Sequence, residues 1–194
     1  MGVTLGLLRA EQPELSDATA IATSLEVPSA FSRVFERHHA AVHRYLARRL
    51  GTDLADELAA ETFAVAFAKR GRYDGSYADA RPWLFGIATR LAQRHWRREE
   101  RELRAYARSG VDPAAPAHDD HVAAQADSAA AAPALAAALA LLSRDERDVL
   151  LLYAWAELAY PEIAAALSIS PGTVKSRLHR ARGRVRTHLE EAGG

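Results

Sequence analysis

The sequence contains no cysteine among its 194 residues. The chain therefore has no disulfide framework and no thiolate metal site, as is typical of proteins from a reducing compartment. No apolar run approaches the roughly 20 residues that span a bilayer, and residues 1–28 lack the basic start and apolar core of a signal peptide. We expect a cytoplasmic protein with no membrane insertion.

Catalytic signatures are also missing from the sequence. It has no Gly-rich phosphate loop, no G-x-S-x-G and no H-E-x-x-H. His39 and His43 lie four residues apart on a predicted helix, but no third ligand follows at a suitable spacing, so exposed or half-buried histidines are the better interpretation. We predict that the protein is not an enzyme and that it has no catalytic residue, no metal site and no cofactor.

The charges balance overall, with 25 basic and 25 acidic side chains, but their distribution is uneven. Residues 81–108 carry a net charge of +5 and residues 171–188 a net charge of +6, whereas residues 109–170 carry −7. Basic segments attract the phosphate backbone of nucleic acids. Two of them, separated by an acidic one, predict two separate nucleic-acid contacts.

The hydrophobic pattern predicts helices and no strand, so the expected fold is all-α. Residues 29–108 contain Phe, Trp and Leu at helical spacing, enough for a first small domain of three helices, with Phe31, Phe35 and Leu46 on the core face of the first. Gly51 is the glycine expected at the end of the first of these helices. The third helix is predicted to run from Arg81 to about Arg108.

The composition changes sharply after this domain. Residues 109–132 combine alanine, aspartate, glycine and proline, which predicts a flexible acidic Ala/Pro-rich linker. A second small helical domain follows over residues 133–190, in which Ser143 and Glu146 predict a capping box at a helix start. Residues 1–28 show no sustained period and are interpreted as a flexible or weakly helical N-terminal extension.

The stretch from Tyr160 to Arg186 predicts two helices joined by a tight turn. Ser170 is a good N-cap residue, and Pro171 suits the first helical position. A short helix, a tight turn and a basic second helix are typical of a helix-turn-helix, which lays its second helix in the DNA major groove. The apolar stripe expected on that second helix consists of Val174, Leu178, Ala181 and Val185.

An alternative interpretation of the second helix is a basic amphipathic helix on the surface of a bundle. The capped turn, the apolar first helix and the positive charge together favour DNA binding. Two further features remain open at this stage. The acids Asp56, Glu57 and Glu61 form either a solvated face or a docking surface for a basic partner, and Phe85 and Trp96 are either core residues or platforms for single-stranded bases.

Four motifs, in this order along the chain, give the sequence a family likeness. They are D-E-L-A-A-E-T-F (56–63), R-P-W-L-F-G-I-A-T-R-L (81–91), L-S-R-D-E-R-D-V-L-L-L (142–152) and E-I-A-A-A-L-S-I-S-P-G-T-V-K-S-R-L-H-R-A-R (162–182). Together they resemble the extracytoplasmic-function sigma factors of bacteria. The likeness covers about residues 29–190, with a linker at the place where the family has one.

The resemblance implies a promoter-specificity subunit of RNA polymerase. Residues 29–108 would be sigma domain 2, which binds the β′ clamp helices of the polymerase core and helps to open the −10 promoter element. Residues 133–190 would be sigma domain 4, which reads the −35 element as duplex DNA and binds the β flap. The family also implies an anti-sigma factor as an inhibitory partner.

The resemblance also assigns roles by position. Arg177 would hold phosphates or the acids of its own domain, while other residues of the same helix would read bases. The acids Asp56, Glu57 and Glu61 fall where the family docks on the clamp helices. The residues assigned to the −35 element are Lys175, Ser176, Arg177, His179 and Arg180, and those assigned to the −10 region are Arg90, Arg94, Trp96, Arg97, Arg98 and Arg101.

The chain departs from the family pattern in the −10 region. Arg90 replaces the usual Asn and Arg94 the usual Asp, so the base contacts of those residues do not transfer. Two added guanidiniums favour phosphate contacts or a different −10 preference. Ala60 likewise replaces a frequent Gln of the clamp-docking motif.

Two rival functions remain. A stand-alone helix-turn-helix regulator would bind operator DNA tightly without polymerase, usually as a symmetric dimer, but leaves the basic segment 81–108 without a role. An enzyme with an accessory DNA-binding domain ranks below it, because the catalytic motifs are missing.

Overall fold

The computed structural model describes residues 15–109 and 133–193. Every regular element in these two ranges is helical, which confirms the predicted all-α class. No helix in the described ranges is both long and apolar enough to span a bilayer. Most of the predicted linker, residues 110–132, lies outside the described residues. The helices are α1 (Asp17–Thr23), α2 (Ser32–Leu50), α3 (Thr52–Lys69), α4 (Arg81–Gln93), α5 (Trp96–Ser109), α6 (133–140), α7 (Arg144–Ala154), α8 (Tyr160–Leu167) and α9 (Pro171–Gly193), with 3-10 turns at Pro28–Phe31 and Arg70–Arg72.

Helix α2 is built on a stripe of residues spaced three or four apart. Val34 and Tyr45 lie on this stripe and are buried. The same stripe carries His38 and Arg49, which are only 5% and 2% exposed. Because buried polar groups need partners, these two positions fix how neighbouring elements pack on α2. Phe35, which the sequence pattern placed in the core, is instead 41% exposed, because the buried stripe passes through Val34.

Helices α3 and α4 complete the first bundle with α2. Gly51 ends α2 with φ 85° and ψ 161°, a conformation that is essentially restricted to glycine, and its N–H donates to the carbonyl of Ala47 over 2.9 Å. The predicted helix end is therefore confirmed. In α4, Phe85 is buried with its ring edge-on to Tyr45 at 5.3 Å, which assigns Phe85 to the core.

The predicted helix over residues 81–108 is divided into α4 and α5. At the division, the backbone N–H groups of Arg94 and His95 donate to carbonyls three residues earlier, which tightens the turn. Glu99 of α5 then reaches Arg49 of α2, with Oε1 3.1 Å from Nε. The single long helix was a wrong prediction, because this ion pair joins residues 50 positions apart and leaves no trace in local periodicity.

Helix α1 lies within the segment predicted to be a flexible or weakly helical extension, residues 1–28. Ser16 caps it by accepting the backbone N–H of Thr19 over 3.2 Å, and Ala20 and Ile21 are buried against the first bundle. This helix agrees with the weakly helical alternative, whereas its burial was not predicted; residues 1–14 lie outside the described residues. A tertiary contact stabilises the helix, since seven residues alone make a marginal helix in water.

That contact centres on the Asp17 carboxylate, whose side chain is 3% exposed. Asp17 bonds to the ring Nε2 of His38 over 2.6 Å, accepts the backbone N–H of Ala80 over 2.8 Å and pairs with Arg37. Burial acts to raise the pKa of Asp17, but His38, Ala80 and Arg37 outweigh it and lower the pKa to about 2. The carboxylate thereby joins α1, α2 and the start of α4.

The second bundle contains α6 to α9. The predicted capping box opens α7: Ser143 Oγ accepts the N–H of Glu146 over 3.4 Å, and Glu146 Oε2 accepts the N–H of Ser143 over 3.2 Å. The core of this bundle comes from small and aliphatic residues. Those buried there include Leu139, Leu142, Val149, Leu152, Ile163, Ala164, Ala166, Val174, Leu178 and Ala181.

The two bundles are packed on each other through α4 and α8. Their helices approach so closely that a Cβ added at Gly86 would lie 2.4 Å from the carbonyl oxygen of Ala166. Glycine is therefore required at this crossing, because any side chain would collide with backbone. As a result, one continuous apolar cluster runs from α1 in the first bundle to α9 in the second.

We predict that Asp17→Asn destabilises the first bundle by about 2 kcal/mol near neutral pH, since one pKa unit corresponds to about 1.4 kcal/mol. The pKa of Asp17 is lowered on folding, from 3.8 to about 2. Its contribution is therefore complete above pH 4 and is lost as pH falls toward 2. Urea unfolding followed by circular dichroism should show the gap between variant and wild type closing below pH 4.

Asp79→Asn is the matched control for this measurement. Asp79 is half-exposed and lies 4.0 Å from the same histidine ring. Its Oδ1 accepts the backbone N–H of Arg81, and an asparagine oxygen can replace it there. An equal loss of stability in both variants would contradict the role of Asp17.

Candidate nucleic-acid interface

Helices α8 and α9 are joined by a turn of three residues. Ser168 adopts a left-handed conformation with φ 55° and ψ 46°, and the N–H of Ile169 donates to the carbonyl of Ala164 over 3.0 Å. Ser170 then caps α9 by accepting the N–H of Thr173 over 3.1 Å, as predicted. These hydrogen bonds hold α9 at a defined angle to α8, which is the geometry of a helix-turn-helix.

The two faces of α9 differ as the sequence pattern predicts. Val174, Leu178 and Ala181 are buried against α7 and α8, and Val185 is half-buried. The opposite face of the first turns is exposed. Its side chains are Lys175, Ser176, His179 and Arg180, which supply hydrogen-bond donors and positive charge at the surface.

Two acids at the start of α7 hold arginines of α9. Asp145 pairs with Arg177 at 2.6 Å, and Glu146 pairs with Arg180 at 3.4 Å and with Arg184 at 3.0 Å. Burial acts to raise the pKa of Glu146, but the Ser143 hydrogen bonds and the two arginines keep that pKa below its usual value. The capping box of α7 therefore also orients the basic helix.

The residues assigned to the −10 region are placed around the division between α4 and α5. Arg90 donates from Nη1 to the carbonyl of Ala166 in α8 over 3.3 Å, and Arg94 pairs with Glu61 of α3 at 2.7 Å. Trp96 faces the guanidinium of Arg147, which lies 4.0 Å from the ring centroid. The structure thus brings these three side chains to partners within the protein. Arg97 and Arg101 are exposed, and Arg98 lies in the same helix.

An open cleft separates the two bundles at this point and is lined mostly by cations. Arg144 of α7 faces this cleft together with Arg94, Arg97 and Arg101 of the first bundle. Sequence reasoning missed Arg144, because it belongs to the other bundle and lies outside both basic segments. The cleft gathers positive charge that could hold a phosphate chain.

The acids assigned to docking lie on the outer side of α3. The Asp56 side chain is 80% exposed and lies 2.9 Å from the ring Nε2 of His43, and Glu57 is exposed. Glu61 is half-buried and paired with Arg94. Two of the three acids are therefore exposed to solvent. The charge of the third is neutralised by Arg94, one of the residues assigned to the −10 region.

Four buried charges between the bundles were not found by sequence reasoning. Arg49, Glu99, Arg147 and Asp148 are each at most 2% exposed. A signal for them exists in the sequence, because Arg49 lies on the apolar stripe of α2, and Arg147 and Asp148 directly precede an apolar run in α7. The partners of each residue, however, are set by tertiary packing.

One group of side chains has the composition of a metal site. Asp17, His38 and Asp79 each offer a ligand atom, and these atoms lie within 4.8 Å of one another. Both Asp17 oxygens already accept hydrogen bonds, one from Arg37 and the other from His38 and the Ala80 N–H. The arrangement of these side chains is thus explained by the attachment of α1 to the first bundle.

His39 and His43 stack along α2, with ring centroids 6.1 Å apart.

Comparison with solved structures finds the same fold. CnrH, in a complex with the cytosolic domain of CnrY, matches 90% of this chain and 97% of its own, with a TM-score of 0.62 and 22% identity. The sigma factor RpoE of Bartonella quintana, in a complex with the anti-sigma factor NepR, matches 82% of this chain and 96% of its own, with a TM-score of 0.57 and 25% identity.

Comparison with curated proteins finds shorter matches of higher identity. RNA polymerase sigma-E factor of Streptomyces antibioticus is 47% identical over 53 residues, and that of Streptomyces avermitilis is 48% identical over 52 residues. Each match spans 27% of this chain and 29% of the relative. The likeness in sequence thus covers less than a third of these relatives.

Family models cover more of the chain. The model of Sigma-70 region 2 matches residues 34–102, and the model of Sigma-70 region 4 matches residues 133–185. Together they account for more than half of the 194 residues, in the order expected from the four motifs. The chain belongs to the sigma-70 family and is an extracytoplasmic-function sigma factor.

Proposed function

We propose that this chain binds core RNA polymerase and directs it to two-part promoters. In this proposal, residues 29–108 are sigma domain 2, residues 109–132 a linker and residues 133–190 sigma domain 4. The role is noncatalytic: polymerase carries out the chemistry, and the sigma factor determines where transcription begins. The cytoplasm is the proposed location, because polymerase and the bacterial chromosome are found there.

The outward face of α9 is the observation that carries the proposal. A helix-turn-helix reads base edges with the first turns of its second helix. Here those turns expose Lys175, Ser176 and His179, while the apolar stripe faces the bundle. Arg177 and Arg180, paired with the acids of α7, lie beside them within reach of phosphates. This arrangement supports recognition of a duplex −35 element.

The −10 element is assigned to the division between α4 and α5. Arg97 and Arg101 are exposed there, and the cleft beside them gathers further arginines and Trp96. Cations beside an aromatic ring suit a strand that is melted and held by its phosphates. The acids Asp56 and Glu57 on the other side of α3 suit a basic surface, and we assign them to the β′ clamp helices.

An anti-sigma factor is the proposed inhibitory partner. The RpoE structure from Bartonella quintana is a complex with an anti-sigma factor. The structural likeness to this chain extends over both bundles, so the surfaces available for such a partner are similar in outline.

The proposal is tested with purified core polymerase and a library of promoters with random −35 and −10 sequences. The chain should co-purify with core and select DNA with two conserved blocks, as read from run-off transcripts. Tight binding to a single duplex site without any core binding would instead indicate a stand-alone helix-turn-helix regulator.

We predict that Lys175→Ala lowers initiation from the selected promoter by about tenfold and relaxes the preference at one or two −35 positions, as expected for loss of a base contact. Core binding should be unchanged. The matched control is Arg186→Ala, which removes the same charge from an exposed position three turns further along α9. It should weaken binding on all sequences alike. Identical sequence preferences in both variants would overturn the assignment.

We predict that Glu57→Lys weakens binding to core polymerase by about tenfold or more, because like charges placed opposite each other cost several kcal/mol. Binding of the isolated variant to −35 duplex DNA should be unaffected. Glu26→Lys is the control, since Glu26 is an exposed acid of the same bundle outside the docking face. Equal losses in the two variants would show that only net charge matters. Affinity is measured by fluorescence anisotropy with labelled core.

A further inference from the structure

Three arginines form a stripe along α9, which we call the arginine stripe. Arg177, Arg180 and Arg184 lie three and four residues apart, so they share one side of the helix. Because each residue advances about 100° around a helix, this side lies between the buried face of α9 and the exposed face that carries Lys175 and His179. The arginine stripe therefore borders the surface that is assigned to the −35 element.

Two acids at the first turn of α7 hold the arginine stripe. Asp145 Oδ2 lies 2.6 Å from Nη2 of Arg177. The two oxygens of Glu146 are divided between Arg180, at 3.4 Å, and Arg184, at 3.0 Å. The Glu146 side chain is 6% exposed, whereas those of its two arginines are 55% exposed. A buried acid thus holds guanidiniums that remain open to a further anion.

The position of Glu146 does not depend on the arginines. Its Oε2 accepts hydrogen bonds from the backbone N–H of Ser143 over 3.2 Å and from the Ser143 hydroxyl over 2.8 Å. Burial acts to raise the pKa of Glu146, but the Ser143 hydrogen bonds and the charge of Arg184 outweigh it and lower the pKa. Glu146 is therefore a fixed negative charge at neutral pH, placed beside a helix that is proposed to bind a polyanion.

Such pairs have a larger effect on DNA binding than on folding. Ion pairs between exposed groups add little to stability. Duplex DNA, however, presents phosphates whatever its sequence, so an unrestrained arginine finds one on any duplex. A paired arginine has part of its charge neutralised and its position fixed. It therefore contacts a phosphate fully only where the docked helix brings one to that position.

We propose that Asp145 and Glu146 are specificity-determining residues of the −35 contact. They contact no base and act as positioning residues, by restraining Arg177, Arg180 and Arg184. When α9 lies in its correct site, phosphates meet the held guanidiniums. On any other sequence the arginines stay paired with the acids, so that non-promoter DNA is bound weakly. This role rests on the proposed function of α9.

Removal of an acid should therefore raise DNA binding and lower its specificity. Glu146→Gln keeps the size of the side chain and an oxygen for the Ser143 N–H, but it leaves Arg180 and Arg184 without a charged partner. The full chain is titrated by fluorescence anisotropy onto two duplexes, one with the selected −35 block and one with that block scrambled.

The affinity of Glu146→Gln for the scrambled duplex should rise by up to about eightfold at 0.1 M salt. This is the value of one phosphate contact with a log–log salt slope of about −0.9 that is lost by 1 M salt. The salt slope on this duplex should become steeper by about one. The affinity for the −35 duplex should rise less, so the ratio of the two affinities falls.

Glu190→Gln is the matched control. It removes the same charge from an exposed acid of α9, which lies 4.0 Å from Arg186 and outside the arginine stripe. This control should change both affinities alike. An equal fall of the ratio in both variants would show an effect of net charge only and would overturn the inference. So would an unchanged ratio in Glu146→Gln with an unchanged circular dichroism spectrum.

Asp145→Asn gives a second test at a position where folding is not at risk, since the Asp145 side chain is 57% exposed. It should also raise the affinity for the scrambled duplex and lower the ratio. Because Asp145 is proposed to act through Arg177, this effect should vanish in an Arg177→Ala background. An effect that persists without Arg177 would contradict the positioning role.

The same titrations separate this inference from the function on which it rests. A wild-type chain that binds both duplexes equally would contradict the proposed reading of the −35 element by α9. A wild-type chain that prefers the −35 duplex, with acid variants that keep the whole of that preference, would contradict the specificity role of the acids alone.

Discussion

The buried guanidinium of Arg49 is the interaction on which the tertiary structure depends most. Burial acts to lower the pKa of Arg49, but Tyr45, Glu99 and Asp148 raise it well above its usual value, so the group stays charged. A charge in that position requires anions from elsewhere in the chain. Glu99 of α5 and Asp148 of α7 supply these anions. One side chain thus ties both α5 and α7 to α2, beside the α4–α8 packing at Gly86.

The helix-turn-helix depends on a second, more local set of contacts. Ser170 caps α9, and Glu146 connects the start of α7 to Arg180 and Arg184. These contacts lie within one bundle. The recognition surface is therefore preorganised, whereas Arg90 and Trp96, two of the residues assigned to the −10 region, contact Ala166 and Arg147 of the other bundle. The two proposed DNA contacts thus differ in how far their side chains are free to bind DNA, because those side chains have different neighbours in the protein.

The sequence was a good guide wherever structure is decided by residues close in the chain. The helix end at Gly51, the capping box of Ser143 and Glu146 and the Ser170 cap all follow from local rules and are found as predicted. Family motifs extended this to the class of protein. The features that were not predicted share one cause: the burial of α1, the division after α4 and the exposure of Phe35 each depend on partners that are distant in sequence.

For this protein, the sequence alone determined the all-α class, the basic face of α9 and the family, because periodicity, caps and motifs are local properties. Only the tertiary structure decided what the charged residues bind. The sequence favoured a phosphate contact or a different −10 preference for Arg90, which in the structure donates to the Ala166 carbonyl, and it gave no partner for Asp148, which is buried against Arg49. Electrostatic partners are chosen by proximity in space, and that proximity is a result of packing.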